Sequence, residues 1–450
     1  MPNRFNIRDW CSYRDLNLAW VMFEIRRTRF YTRRPDAGAK TSEVLSQVLG
    51  VPEKRLNYGL SSTLFLMVMT IGYAVYAADR TVLASVLALM VPALRLTNYE
   101  IGLIGSAQYI GVLCFVFLSG HLSDRYGRKN VIILGIAVFT VFTWLIGFAS
   151  NFLEAFVFRL ISGFGEGIFW PVAMAAVASY FKNRKGLALG IFYVGFDAGS
   201  VAGLSLGGLA YSLSGDWRTA FFVAPSLGLL VIGGSARLKN EFQSSIGDAG
   251  RIRLGRDAFD LLKQRSVIVM MAFALVATWA SVWQVVFLPY YFFKVLHIGI
   301  LSSALFSAVV AVSGGVGKLI LGGASDVWRR NRMLAVIALM VVLSYILFFA
   351  TSNPILTLSV AIIMGFFSSS IFPIMQALMA DICKGKTGTA LGLTTSSQSV
   401  ATVVSPIITA SLFTMGVGRA VALNAMIPAA LTLLLTLLLK DPRRSTNHAA

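Results

Sequence analysis

Four ionisable residues sit inside apolar runs of this chain: Asp79 and Arg80 in one run, Arg159 and Glu166 in another. Ionisable groups in hydrocarbon are expensive and persist mainly where they pair, line a water-filled path or move protons. Arg159 and Glu166 are two helical turns apart and share one face. Arg80 stays charged at accessible pH and presents a fork that suits a carboxylate, which makes it an anchor for an organic anion. Glu166 is the better proton carrier, because burial and a neighbouring arginine act on a carboxyl group in opposite senses. Arg159 can orient Glu166 or pair with it, although about 10.5 Å of helix rise makes a direct contact awkward. Asp79 adjoins Arg80, but consecutive helical residues point about 100° apart, so the two need not share a partner. Asp79 is therefore a second candidate proton site. A static ion-pair network holding helices together is the competing reading of all four.

The runs that carry these charges are about as long as a bilayer is thick. The chain has 450 residues, 56% hydrophobic and 13% charged, with a mean hydropathy of +0.73. Apolar blocks of roughly 20 residues span hydrocarbon as helices. Twelve are expected, at about 58–91, 99–119, 130–150, 153–176, 184–212, 218–237, 266–293, 300–322, 332–350, 354–380, 386–413 and 416–439.

The net charge of +19 suggests nucleic acid at first sight, but its placement argues otherwise. With a cytoplasmic N-terminus, Arg95, Arg218, Lys294 and Arg419 lie outside and Arg80, Arg159 and Lys318 lie within helices. The remaining 32 of the 39 Lys and Arg are then cytoplasmic. That asymmetry places both termini in the cytoplasm of a cell (inner or plasma) membrane, with anionic lipid as the partner of the basic surface. Cys11, Cys114 and Cys383 give neither a disulfide framework nor metal spacing. His121, His297 and His448 are isolated. No cofactor is implied, and no phosphate-cradling loop ending in Lys-Ser/Thr is present.

Residues 1–57 read as a basic cytosolic extension and 238–265 as a cytoplasmic linker. The six-helix halves are 58–237 and 266–440, and 441–450 is a tail. The halves resemble each other at a constant offset of 202. Gly120 and Asp124 recur as Gly322 and Asp326, Pro171 as Pro373, and Gly186, Ala188, Leu189 and Gly190 as Gly388, Ala390, Leu391 and Gly392. A parallel six-helix repeat is one of the two main transporter plans, with the solute site between the bundles. The counterparts of Asp79, Arg80, Arg159, Glu166 and Asp197 are Ser281, Val282, Ala361, Ser368 and Ser399, none charged. The first bundle is thus expected to hold the charge chemistry and the second to supply neutral contacts. Trp283, Gln284, Tyr290 and Gln398 are candidates for those contacts, since aromatics and amides suit a hydroxylated solute. Trp279 and Ser368, Ser369 and Ser370 are weaker ones.

Gly120, Asp124, Arg125, Gly127, Arg128 and Lys129 form a loop that resembles the signature Gly-x-x-x-Asp-Arg-x-Gly-Arg-Arg/Lys of the major facilitator superfamily. Gly127 suits the tight turn, and Asp124 can accept from Arg125, Arg128 or a facing helix N-terminus. The second copy, around Asp326, lacks the Arg and the second Gly. In the family this loop latches the cytoplasmic side, so the resemblance implies a gate. Arg159, Gly163, Gly165 and Glu166 resemble the second motif of the anion:cation symporter branch, and Asp79–Arg80 its Asp-Arg pair. Members of that branch move carboxylates such as sugar acids. The resemblance implies an all-α membrane protein with two pseudo-symmetric six-helix bundles, working as a monomer. It assigns Asp79 and Glu166 to protons and Arg80 to the anion.

Asp197 departs from the branch, which often has an amide near this place. It is read as a third protonation site, as a group that neutralises Arg80, or as a simple hydrogen-bonding acid. The same run carries Gly195, Gly199, Gly203 and Gly207, whose spacing of four allows close helix contact. It lacks the Gly-Pro motif common in the superfamily's exchangers. Lys318 is assigned to the gate or to snorkelling at the interface. The expected function is proton-coupled symport of a small organic anion. Anion exchange, efflux of hydrophobic compounds and a non-transporting sensor acting through 1–57 are the rivals.

Overall fold

In a computed structural model the chain is almost entirely helical, and described residues are 53–116, 118–181, 185–237, 259–383 and 387–439. The extension 1–52, most of the linker and the tail lie outside them. The chain divides into Met1–Thr63 and Leu64–Ala450. Of the first unit only the opening turns of α1 are described.

Among the described residues, twelve helices are long and apolar enough to cross a membrane. They are α1 (Glu53–Ala93), α2 (Asn98–Val116), α3 (Arg128–Ile146), α4 (Phe152–Tyr180), α5 (Lys185–Ser214), α6 (Arg218–Arg237), α7 (Arg265–Val286), α8 (Ile300–Val327), α9 (Arg330–Ala350), α10 (Pro354–Ile382), α11 (Thr387–Ser411) and α12 (Val417–Thr436). Helices satisfy their own backbone groups, as hydrocarbon demands. Each of the twelve expected spans has its helix.

The repeat is visible in the helix boundaries. α3, α4 and α5 begin at Arg128, Phe152 and Lys185, and α9, α10 and α11 at Arg330, Pro354 and Thr387, each pair 202 positions apart. Even the caps match. Asn151 accepts from the Glu154 amide at the start of α4, and Asn353 accepts from the Ile355 and Leu356 amides at the start of α10. The seventh span is shorter than expected. α7 ends at Val286, and a separate helix, Leu288–Lys294, follows with Pro289 in its first turn. Proline lacks the amide that would continue the α7 ladder.

The glycines of α5 do what their spacing implies. A Cβ at Gly195, Gly199, Gly203 or Gly207 would collide with Thr70, Ala74, Ala78 or Ser85 of α1, at 2.4 Å or less in every case. Gly127 turns the motif loop with φ +81, a conformation that favours glycine.

The two bundles meet through α2 with α11 and α5 with α8. They pack closely at one end. Gly102 lies against Pro406 and Ile407, Ser106 donates to the Val403 carbonyl at 2.6 Å, and Gly208 lies against Ala304. At the opposite end, a side chain built at Gly120, Gly190, Gly322 or Gly392 would meet no described atom within 4 Å.

The α1–α5 contact can be tested within one helix. Gly199→Ala puts a methyl 1.9 Å from the Ala74 carbonyl oxygen, whereas Gly190→Ala meets open space. In thermal unfolding of the detergent-solubilised protein, Gly199→Ala is expected to cost ~1–3 kcal/mol, the usual range for overpacking. Gly190→Ala should leave stability unchanged or slightly raised.

Candidate functional site

The first bundle gathers the buried ions into one polar knot. α1 brings Asp79 and Arg80, α2 brings Gln108, α3 brings Thr143, and α4 brings Arg159, Ser162 and Glu166. The helices can approach closely enough because glycines stand at the crossings. A Cβ on Gly163 of α4 would sit 2.2 Å from the Gln108 carbonyl oxygen, and one on Gly111 of α2 would sit 2.1 Å from the Leu160 carbonyl oxygen.

Arg80 donates from Nε to Glu166 Oε2 at 2.8 Å. Glu166 is sealed from solvent, while the Arg80 side chain keeps 16% exposure. The Arg80 guanidinium carbon lies 4.5 Å from the Tyr76 ring centre and 5.2 Å from that of Tyr109. Such ring contacts favour a cation. Among the described residues nothing bonds to the two Nη atoms of Arg80, although its Nε is engaged. The fork is therefore half used.

Asp79 is surrounded by donors. Thr143 donates to its Oδ1, Ser162 to Oδ2 at 2.8 Å and Gln108 Nε2 to Oδ2 at 3.0 Å. Arg159 lies 3.9 Å from Oδ1. Arg159 also donates to the backbone carbonyls of Asp79 and Arg80, both at 3.1 Å, so it pins the middle of α1. Its Nε has no partner among the described residues. Arg159 thus serves Asp79 and the α1 backbone, not Glu166 as one sequence-based expectation had it. The distance along α4 excludes the latter.

Gln108 was missed in the sequence reading. Its one amide nitrogen donates to Glu166 Oε1 at 2.7 Å as well as to Asp79 Oδ2, so one NH₂ group clamps both acids. A lone glutamine in an otherwise apolar run was the available signal. Thr143, Ser162, Tyr76 and Tyr109 were missed with it.

Asp197 does not join this knot. It faces α8, where Lys318 Nζ lies 2.5 Å from its Oδ1, an ion pair between the bundles. Lys318 is therefore not a snorkelling residue, and Asp197 does not neutralise Arg80, which already has Glu166.

In the second bundle the candidates fare unequally. Gln284 is part-buried, donates to Tyr345 at 2.7 Å and accepts from Ser368 at 3.1 Å. Gln398, also part-buried, accepts from Gln376 at 3.1 Å. Two expectations need correction. Trp283 is fully buried, with Tyr345, Phe348 and Phe349 around its ring, so it packs the bundle instead of meeting a solute. Tyr290 is buried beyond the α7 break, its ring parallel to Phe413 at 5.7 Å. Its place in the short helix after Pro289 removes it from the middle of the span.

The motif loop holds its own bundle together. Arg128 donates to Ser179 at the end of α4, and Lys129 to the Ala236 carbonyl of α6 at 2.8 Å. Asp124 and Arg125 are exposed. Asp124 accepts from no described residue. Arg125 lies over the Tyr126 ring. Asp326, the counterpart of Asp124 in the repeat, falls in α8, and its side chain lies outside the described residues.

Known proteins share this arrangement. The family model for the Major Facilitator Superfamily matches residues 69–353 and 267–450. A sphingosine-1-phosphate transporter, SPNS2 of Xenopus tropicalis, is 25% identical over 63% of this chain. A probable 4-methylmuconolactone transporter of Cupriavidus pinatubonensis is 32% identical over 36% of it. The matches cover 58% and 39% of those relatives' own lengths. The crystal structure of a bacterial homolog of the human lysosomal transporter Spinster, inward-facing and unoccupied, superposes with a TM-score of 0.71. It covers 84% of this chain and 95% of that one at 16% identity, a likeness of fold. Twelve spans in two repeats, a motif loop turned on Gly127 and a family match along nearly the whole membrane portion lead to one conclusion: the chain is an integral membrane protein and belongs to the major facilitator superfamily.

Proposed function

We propose that this transporter carries a small organic anion together with a proton, with Arg80 as the anion's anchor and Glu166 as the proton carrier. The observation that carries the reading is the half-used guanidinium. Arg80 is held over two tyrosine rings by one bond to Glu166, and its other two nitrogens face partly accessible space. A carboxylate or other oxyanion fits that fork in two parallel bonds.

Charge balance supplies the coupling. Fully ionised, Asp79, Arg80, Arg159 and Glu166 sum to zero. An arriving carboxylate adds a negative charge to a nearly dry cluster, where an uncompensated ion is costly. A proton on Glu166 restores neutrality and removes the competing claim on Arg80. Asp79, enclosed by donors, remains the standing charge that keeps Arg159 and α1 in place, and is the lesser candidate for proton transfer. Gln108 touches both acids and transmits a change at one to the other. A relative named for sphingosine-1-phosphate is at least named for an anionic solute.

The placement of Lys and Arg puts the end that bears the motif loop in the cytoplasm. Gly120, Asp124, Arg125, Gly127, Arg128 and Asp326 act when that end closes. Gln284 and Gln398 offer neutral polar contacts from the facing bundle.

Two measurements test this. In a thermal-shift screen of the purified protein against carboxylates and sugar acids, Arg80→Gln should abolish stabilisation by the binding acid. Loss of a bond between charged groups, about 1.5–3 kcal/mol, weakens binding roughly 10- to 150-fold. A stabilising acid that acts equally on the variant removes Arg80 from the anchor role. In proteoliposomes, Glu166→Gln should still exchange labelled anion across the membrane but fail to accumulate it on a proton gradient. Wild-type uptake that ignores an uncoupler and requires internal counter-substrate would assign exchange instead.

A further inference from the structure

The Asp197–Lys318 pair raises the question of which side of the helices it faces, because both side chains keep about 30% exposure (29% and 31%). On α5 the exposed apolar stripe runs through Ile191, Val194 and Leu209. At about 100° per residue, Asp197 lies at the edge of that stripe, about 60° from Val194 and about 120° from Ile191 and Leu209, and within about 20° of Leu204 and Gly208, which pack on α8. On α8 the exposed stripe runs through Val312, Val316, Leu319 and Ile320. Lys318 lies roughly opposite, between Gly315, which meets Asp197, and Gly314 and Gly317, which meet α10. The pair thus faces the space between the bundles, not the apolar perimeter.

A row of rings joins the pair to Arg80, of which Phe196 is half-buried and Tyr76 is buried in the core of the first bundle. Lys318 Nζ is 5.7 Å from the Phe196 ring centre. The Phe196 ring is 6.3 Å from the Tyr76 ring, and Tyr76 lies beneath the Arg80 guanidinium. Two rings therefore separate two partly exposed cations, one on each bundle, and each cation is held by one carboxylate of the first bundle. The constructions are alike. In each, an acidic group on a solute can replace an acidic side chain of the protein.

We propose that Lys318 is a second anion-receiving group of the same solute site, occupied by Asp197 when no solute is present. The solute class that matches is an organic diacid whose apolar or aromatic body lies against the half-buried Phe196, with one acidic group on Arg80 and the other on Lys318. This rests on the reading of Arg80 as the anchor. It makes Lys318 a specificity-determining residue, because a monoacid leaves the Asp197–Lys318 pair undisturbed.

The test compares 3-phenylpropionate with 3-(4-carboxyphenyl)propionate, two probes with one skeleton and one or two carboxylates, by ligand-dependent thermal shift of the full chain. Wild type should bind the diacid more tightly. Lys318→Gln should erase that preference, weakening the diacid roughly tenfold while leaving the monoacid unchanged, and Lys318→Arg should restore it. Asp197→Asn, which removes the competitor, should strengthen the diacid selectively. If Lys318→Gln does not fold, the Asp197→Asn/Lys318→Gln double variant leaves no unpaired charge and reads the same preference. A wild type indifferent to the second carboxylate, or a Lys318→Gln protein that keeps the preference or loses both acids alike, overturns the proposal. Arg80→Gln separates the two readings. Loss of both acids there supports the anchor whatever Lys318 does, and retention of the monoacid overturns the anchor itself.

Discussion

An ion taken out of water must be paired with an opposite charge or polar partners, and the first bundle is built around that constraint. Arg80 and Glu166 are 86 positions apart in the chain, yet meet at 2.8 Å. To hold them there, four helices each give the knot at least one residue. Gln108 reaches from α2, Thr143 from α3, and Arg159 grips two carbonyls in the middle of α1. The glycine crossings of α2 with α4 and of α5 with α1 follow from the same need, since bulkier residues there would hold the helices too far apart for these side chains to touch.

The second bundle meets no such constraint and is filled differently. Trp283 stands at the centre of an aromatic cluster with Tyr345, Phe348 and Phe349. Ser368, the counterpart of Glu166 in the repeat, donates to Gln284, so a neutral bond occupies the place where the first bundle has an ionic one. Two copies of one helical plan have diverged in how they satisfy their interiors. One keeps charge that must be balanced, and the other keeps shape.

Much of this was legible in the sequence, for physical reasons. Helix existence follows from length and hydropathy, and the repeat follows from the constant spacing. Asp79, Arg80, Arg159 and Glu166 stood out because ions in apolar runs are rare. Their pairing was not legible. Which arginine meets which acid depends on helix rotation, and three neutral partners, Gln108, Thr143 and Ser162, look like ordinary polar residues of a span. Trp283 was misplaced because an aromatic residue in an inner helix suits a core as well as a cleft. The Asp197–Lys318 pair was invisible for a simpler reason: its members lie in different repeats, 121 positions apart.

The closed seam between the bundles has its own consequence. It is made of Gly102 on Pro406 and Ile407, Gly208 on Ala304, and a single hydroxyl bond from Ser106. Parting such a surface rehydrates backbone and small apolar groups and leaves no bare ion behind. The free energy of that opening grows with contact area and is nearly blind to ionic strength, because dispersion and apolar hydration are not screened. The end that bears the motif loop carries Arg125, Arg128, Lys129, Arg329 and Arg332 and answers to salt and to the headgroups around it. The two ends of the bundles are thus governed by different forces, and the lipid composition of one leaflet bears on the charged end without touching the apolar seam.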